Sequence, residues 1–440
     1  MVYVALQVLL CPAITLTLVF FSISTNANDN IANVDEYVIG RNYYYGTGVQ
    51  QNYEEARKYL VPAANKGNSN AQVLLGQMLL EGQGGSKNEE SALYWFEEAD
   101  SQKNRLGSYH LGLMYQNGTI GPKDGKKAFE YFSKAANQGH PIAQFNVGVA
   151  YYNGEKVKQN YTEAVKYFKK SADQKFPPAI FWLGNAYYNG FSVPQNKFKA
   201  FEFYKEAADL GDPDAQHMVG LHYAGGVTIK QDYNKAYEYY SKALEQGSGK
   251  AAYSIGEMYE RGTGFPKNYK KAFEYYVKAS DLGDGEASNS IGLMYTEGRG
   301  VLRDYKKAFE FFTLGASQGF AASNFNLGNM YNLGIYVKQD DPKAFQYFLA
   351  AANQNHAKAQ NNVAIRYASG RGVEKDLHKV RYWLGMAVAN GSDDAALNIA
   401  KNFMYGQNGY PLSQKDANTW LQVAAKMGNQ DAIDYISHRN

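Results

Sequence analysis

Seven histidines, His110, His140, His217, His222, His356, His378 and His438, are the first residues to weigh for metal or acid–base chemistry. His217 and His222 share one predicted helix but stand five residues apart, so they do not share a face as an i, i+4 metal pair does. Glu130, Glu202, Glu238, Glu274 and Glu310 recur at one position of a repeat and read as surface carboxylates. Acid–base catalysis needs two groups in unlike environments within one cleft. Gly82-Gln83-Gly84-Gly85 lacks the Lys-Ser/Thr of a phosphate loop and reads as a turn. Cys11 is the only thiol and lies in the N-terminal apolar stretch, so the rest of the chain has no disulfide, thiolate zinc site or cysteine nucleophile. No Ser-His-Asp or Cys-His arrangement is suggested. These residues predict no catalytic site, no metal and no cofactor.

Binding chemistry is more visible. One repeat offers Asn146, Val149 and Asn153, and the next offers Trp182, Asn185 and Asn189, with Tyr152 and Tyr188 on the flank. On a helical wheel these positions fall two before, one after and five after a recurring glycine, opposite the apolar face. Rings give contact area and amides satisfy an extended backbone, which suits other proteins or extended peptides as partners. Trp182 stands out because most other repeats place Asn, Ser, His, Leu or Met there. The formal charge of +3 argues against a nucleic-acid partner. The pairs Lys126-Lys127, Lys270-Lys271 and Lys306-Lys307 read as solvated helix faces.

The elements that must position these residues follow from a strict period. Gly40, Gly76, Gly112, Gly148, Gly184, Gly220, Gly256, Gly292 and Gly328 are spaced by 36 residues, and Ala364 and Ala400 continue the series. A second glycine stands six residues beyond each, from Gly46 to Gly406. The segment around the first glycine reads as helix A, with an aromatic three residues after it, except at Leu79. A glycine inside a helix costs about 1 kcal/mol against alanine, so its recurrence implies close approach of another helix. The second glycine ends helix A. Asn or Asp follows at 52, 88, 124, 160, 196, 232, 268, 304, 340 and 376, the chemistry that caps helix B. Turn glycines such as Gly139 and Gly211 close most units, with Lys103, Lys175 and Asn355 in their place elsewhere. The expected fold is all-α: an α/α superhelical solenoid of tandem 36-residue helix-turn-helix repeats, since one helix pair cannot bury both its faces. About eleven repeats span 34–440, with a C-terminal cap where one extra residue separates Gly406 from Gly428.

Met1 to Ile23 is almost wholly apolar, and Ser24-Thr25-Asn26-Ala27 supplies a cleavage site. Residues 1–27 are expected to be a signal peptide, or a signal anchor if retained, with 28–33 a short linker. A membrane contact is expected only through Met1–Ile23 if that segment is uncleaved. The body of the chain is expected outside the cytoplasm: secreted, periplasmic or in the lumen of the endoplasmic reticulum. Asn117, Asn160 and Asn390 lie in glycosylation sequons of the number that chance gives an Asn-rich chain.

Units such as Leu111-Gly112-Leu113-Met114-Tyr115 and Ile291-Gly292-Leu293-Met294-Tyr295 resemble the Sel-one-like repeat (SLR) family, a relative of the tetratricopeptide repeats. The resemblance continues through Gly298-Arg299-Gly300-Val301 and Asp304-Tyr305-Lys306-Lys307-Ala308-Phe309-Glu310. It implies a non-enzymatic adaptor or scaffold, in the manner of luminal adaptors of endoplasmic-reticulum degradation or of secreted bacterial host-interaction proteins. A self-assembling envelope protein, or a β-lactam-binding hydrolase-like activity as in disulfide-bonded bacterial members, are the alternatives. The absence of cysteine from the repeats departs from the last.

Overall fold

The computed structural model describes residues 35–438, so the apolar N-terminus with Cys11 and its expected cleavage site lies outside the described residues. Within that range the chain forms 23 helices, odd-numbered for helix A and even-numbered for helix B. None of them is long and apolar enough to cross a membrane. The described residues fall into two compact units, 35–138 and 139–438, divided in the sequence at a repeat boundary. The first holds α1 (Glu36–Tyr45), α2 (Tyr53–Asn65), α3 (Ser69–Glu81), α4 (Glu89–Ser101), α5 (Arg105–Asn117) and α6 (Gly125–Asn137). The second begins with α7 (Pro141–Asn153), α8 (Tyr161–Ala172), α9 (Pro177–Asn189), α10 (Lys197–Asp209), α11 (Pro213–Gly225) and α12 (Tyr233–Glu245). It continues with α13 (Gly249–Arg261), α14 (Tyr269–Asp281), α15 (Gly285–Glu297), α16 (Tyr305–Ser317), α17 (Ala321–Leu333) and α18 (Asp341–Asn353). It ends with α19 (Ala357–Ser369), α20 (Leu377–Ala389), α21 (Asp393–Tyr405), α22 (Gln414–Lys426) and the short α23 (Gln430–Ser437).

Each boundary has a local cause. All ten expected Asn and Asp residues cap helix B: Asn160, for example, accepts from the backbone N–H groups of Thr162 and Glu163. The backbone N–H of the same residue donates to the carbonyl of the helix A aromatic, as Asn160 does to Tyr151 at 2.9 Å, which closes the A-to-B turn. The glycine ending helix A lies in the left-handed region in every repeat, with φ of 73° at Gly154. The B-to-A turn makes the same demand, and Lys103, Lys175 and Asn355 meet it with φ of 57–63° in place of glycine. The last A-to-B connection carries the extra residue, so Ser413 caps α22 and Leu412 is left exposed.

The core explains the period-setting glycine. A Cβ on Gly148 would lie 2.6 Å from the Phe168 ring, and one on Gly184 would lie 2.6 Å from Tyr204. The helix B ring twenty residues on therefore rests directly on the bare helix A backbone. Where Ala364 replaces glycine, the residue twenty on is Leu384 in place of a ring, although Gly40 also faces a leucine, Leu60, whose Cγ would lie 2.7 Å from a Cβ there. The aromatic three after the glycine has another partner, the helix B ring nineteen residues from the glycine. Pairs such as Tyr151–Tyr167, Tyr187–Phe203 and Tyr259–Tyr275 stack with centroids 5.7–6.0 Å or 5.5 Å apart. A lysine in the first turn of helix B lies over the first of these rings in most repeats, as Lys271 does over Tyr259 at 5.1 Å. Alanines such as Ala143, Ala164 and Ala179 are fully buried and let the helices approach.

Candidate functional site

Helix A touches the next helix A within the second unit, as α15 does α17 and α19 does α21, while helices B stand further apart. The more closely spaced row is the inner side of such a stack, so residues of helix A that point away from helix B form its inner face. The three wheel positions expected there differ in the structure. The position five after the glycine is exposed throughout, including Asn153 and Asn189. The position one after is half-buried at Val149 and Asn185. The position two before, with Asn146 and Trp182, is also half-buried, which corrects its expected place on the open face. A wheel drawn for one helix omits the neighbouring helix A, and that neighbour takes the position two before the glycine as a seam.

The seam is polar in several repeats. Asn326 donates to Asn289 Oδ1 at 2.8 Å, Asn398 to Asn361 Oδ1 at 2.9 Å, and His217 Nε2 lies 3.0 Å from Ser254 Oγ. In α7 and α9 it is aromatic. Trp182 meets Tyr152 edge-on with centroids 4.7 Å apart and Phe168 at 5.6 Å. Tyr152 also meets Tyr161 at 5.3 Å and Phe191 at 5.7 Å. The structure thus joins Tyr152 and Trp182 in one half-exposed cluster and gives both a packing role. Tyr188 lies one repeat along, under Lys197 at 5.7 Å and against His222 at 6.2 Å. Asn185 accepts from the buried Tyr204 hydroxyl at 2.9 Å, and its carbonyl accepts from Asn189 Nδ2 at 2.9 Å. Asn153 donates to Glu155 Oε1 at 3.1 Å.

A second group on the same face carries charge in place of rings and amides. Glu257, Glu260 and Arg261 occupy in α13 the positions of Asn185, Tyr188 and Asn189 in α9. Tyr276 donates to Glu260 at 2.5 Å, Arg299 pairs with Glu260, and Arg261 pairs with Glu257 at 2.6 Å. Burial pushes the Glu257 carboxyl above its ordinary range, with Glu286 adding to the effect against the opposing pull of Arg261. Burial likewise raises Glu286. This cluster was legible only by reading the inner positions repeat by repeat for charge. Two histidines also have local roles that composition does not reveal: His140 and His356 accept through Nδ1 from the N–H of Ala143 and Ala359, capping α7 and α19. Among the described residues, no three His, Cys, Asp or Glu side chains gather as a metal ion would need.

Eleven successive stretches between residues 36 and 429 match the Sel1 repeat family. The chain belongs to the Sel1 repeat family. This Sel1 repeat protein resembles a protective antigen present in uropathogenic Escherichia coli strains, at 26% identity and a TM-score of 0.60, over 90% of this chain and 85% of that one. It also resembles a Sel1 repeat protein from Oxalobacter formigenes, at 33% identity and a TM-score of 0.51, over 56% of this chain and 99% of that one. No curated protein matches it. The Sel1 solenoid is usually a non-catalytic fold and one typical of protein binding, and no enzymatic family is evident here.

Proposed function

We propose that this Sel1 repeat protein is a non-enzymatic scaffold, working outside the cytoplasm, that holds an extended polypeptide along the inner face of α7 and α9. The observation that carries this reading is the half-exposed Tyr152–Trp182 pair beside Asn153, Asn185 and Asn189. Aromatic contact area next to amide donors and acceptors matches what an extended backbone needs. The resemblance to a protective antigen supports the location, since an antigen that protects must be reached by the immune system. The apolar segment Met1–Ile23 supports it independently.

Photo-crosslinkers placed singly at Asn153, Asn189 and Glu202 test the site, Glu202 being an exposed residue of helix B. The expected outcome is one polypeptide crosslinked from both 153 and 189 and not from 202. Crosslinks from 202 alone contradict the inner-face reading. Crosslinks only to further copies of the chain support a self-assembling envelope protein in its place.

A further inference from the structure

Two of the lysine pairs that read as solvated surface in the sequence, Lys270-Lys271 and Lys306-Lys307, occupy one edge of the second unit, the edge made by the A-to-B turns and the first turn of each helix B. We propose that this edge docks on an anionic lipid surface. In two successive repeats Lys267, Lys270 and Lys271 are matched by Arg303, Lys306 and Lys307 at equivalent positions, and all six are exposed. The opposite edge, made by the B-to-A turns, mixes signs, with Asp209, Asp281, Asp284 and Asp394 beside Lys175, Lys205, Lys250 and Lys278. The basic excess therefore gathers on the first edge, while the whole chain is near neutral.

Helix packing accounts for only part of the basic edge. Lys271 and Lys307 lie over the Tyr259 and Tyr295 rings at 5.1 and 5.2 Å. Lys270 and Lys306 stand at the second residue of α14 and α16, where a positive charge opposes the helix dipole. Lys306 gains only a 4.0 Å approach to exposed Glu310. Cations kept at an electrostatically unfavourable helix end suit an external anionic surface.

A second, independent feature selects lipid over an acidic polypeptide. The same edge carries projecting apolar side chains: Leu302 is 90% exposed, Val227 80%, Phe198 68% and Tyr336 53%. Leu302 sits beside Arg303 at the tip of its turn. Tyr336 holds a φ of 64° at the turn position that Gly264 and Gly300 fill in neighbouring repeats. An apolar tip that projects offers no pocket to a protein anchor. It can enter the headgroup–acyl boundary while flanking lysines stay among the headgroups. This contact is separate from the inner face and from any insertion of Met1–Ile23.

The test is flotation of the full chain with vesicles of phosphatidylcholine alone and of phosphatidylcholine with phosphatidylglycerol, at low and high salt. Wild type, Lys270→Glu/Lys306→Glu and Leu302→Ser are compared, with melting profiles checked because all three sites are exposed. The expected result is preferential binding of the wild-type chain to the anionic vesicles, lost at high salt. The double charge variant should lose roughly tenfold or more in apparent affinity. Leu302→Ser should weaken binding to the anionic vesicles at low salt, with its charges unchanged. Binding equal in wild type and both variants would belong to Met1–Ile23 and overturns the proposal. So does a wild-type chain that ignores both vesicles, or one that leaves anionic vesicles but shifts with polyglutamate.

Discussion

The inner faces of α9 and α13 sit on the same frame and carry different chemistry. Both helices bear the close glycine, Gly184 or Gly256, and a Cβ on either would lie 2.6 Å from the ring of Tyr204 or Tyr276. Both end on a left-handed glycine and lead to an Asn-capped helix B. At four matching inner positions, however, α9 has Trp182, Asn185, Tyr188 and Asn189, while α13 has Ser254, Glu257, Glu260 and Arg261. Even the helix B tyrosine finds a different acceptor, Asn185 in one and Glu260 in the other. The difference separates residues that recur with the frame from residues whose chemistry changes from repeat to repeat.

The largest expected effect should not distinguish the two regions. Gly184→Ala and Gly256→Ala each drive a methyl into a ring, and each should destabilise by about 2–3 kcal/mol in urea denaturation. Adding Tyr204→Leu or Tyr276→Leu should recover part of that loss, as the natural pair Ala364 and Leu384 implies. Unequal effects would break the shared frame. Next in size, Trp182→Ala should lose about 2 kcal/mol by removing its contacts with Tyr152 and Phe168. Ser254→Ala, at the matching seam position, should lose less than about 1 kcal/mol in the same assay.

A pH titration sharpens the contrast between the seams. Burial holds His217 at about 4, below its ordinary 6.5. The unfolded chain takes up that proton first, so the stability involved is full above about 6.5 and drains away as pH falls toward 4. The matching residue beside Trp182 is Phe145, which does not titrate. His217→Gln should therefore reduce the loss on acidification from pH 7.5 to 5 by about 1–2 kcal/mol, read from denaturation midpoints. Asp212, which caps the same helix and is pushed up to about 6 by burial, acts in the opposite sense. Its contribution is full below 3.8 and is lost as pH rises through about 6, so the variant must be compared with wild type at each pH. The smallest effect lies at the turns entering the two regions. Lys175→Gly should gain about 0.5–1 kcal/mol by relieving a positive φ, and Gly247→Lys should lose a similar amount.

Much of the frame was legible because its residues answer backbone demands that few side chains satisfy. Glycine at Gly154 meets a left-handed φ, Asn160 meets open N–H groups, and a glycine every 36 residues marks a close approach. The identity of the approaching group was not legible. The sequence shows an aromatic three after the glycine as well as one on helix B, and only the structure shows that the ring on Gly148 is Phe168 while Tyr151 stacks on Tyr167. Both arrangements bury the same residues, and only the crossing of the two helices separates them. The candidate site was legible in composition but not in exposure. Trp182 was placed on an open face because a single helix has no neighbour on a wheel, and α7 with its Tyr152 supplies one. His140 and His356 were weighed as chemistry, but each holds a helix end where Asn68 and Asn104 do the same work in other repeats.

The most direct test of the account exchanges the inner face while leaving the frame intact. Trp182→Ser, Asn185→Glu, Tyr188→Glu and Asn189→Arg together give α9 the inner residues of α13. The measurement is affinity for the polypeptide crosslinked from Asn153 and Asn189, with the melting profile recorded in parallel. The account predicts that binding is lost while the chain still unfolds cooperatively with its helical content retained. Binding at wild-type affinity, or loss of the helical fold itself, would contradict the separation of frame from function.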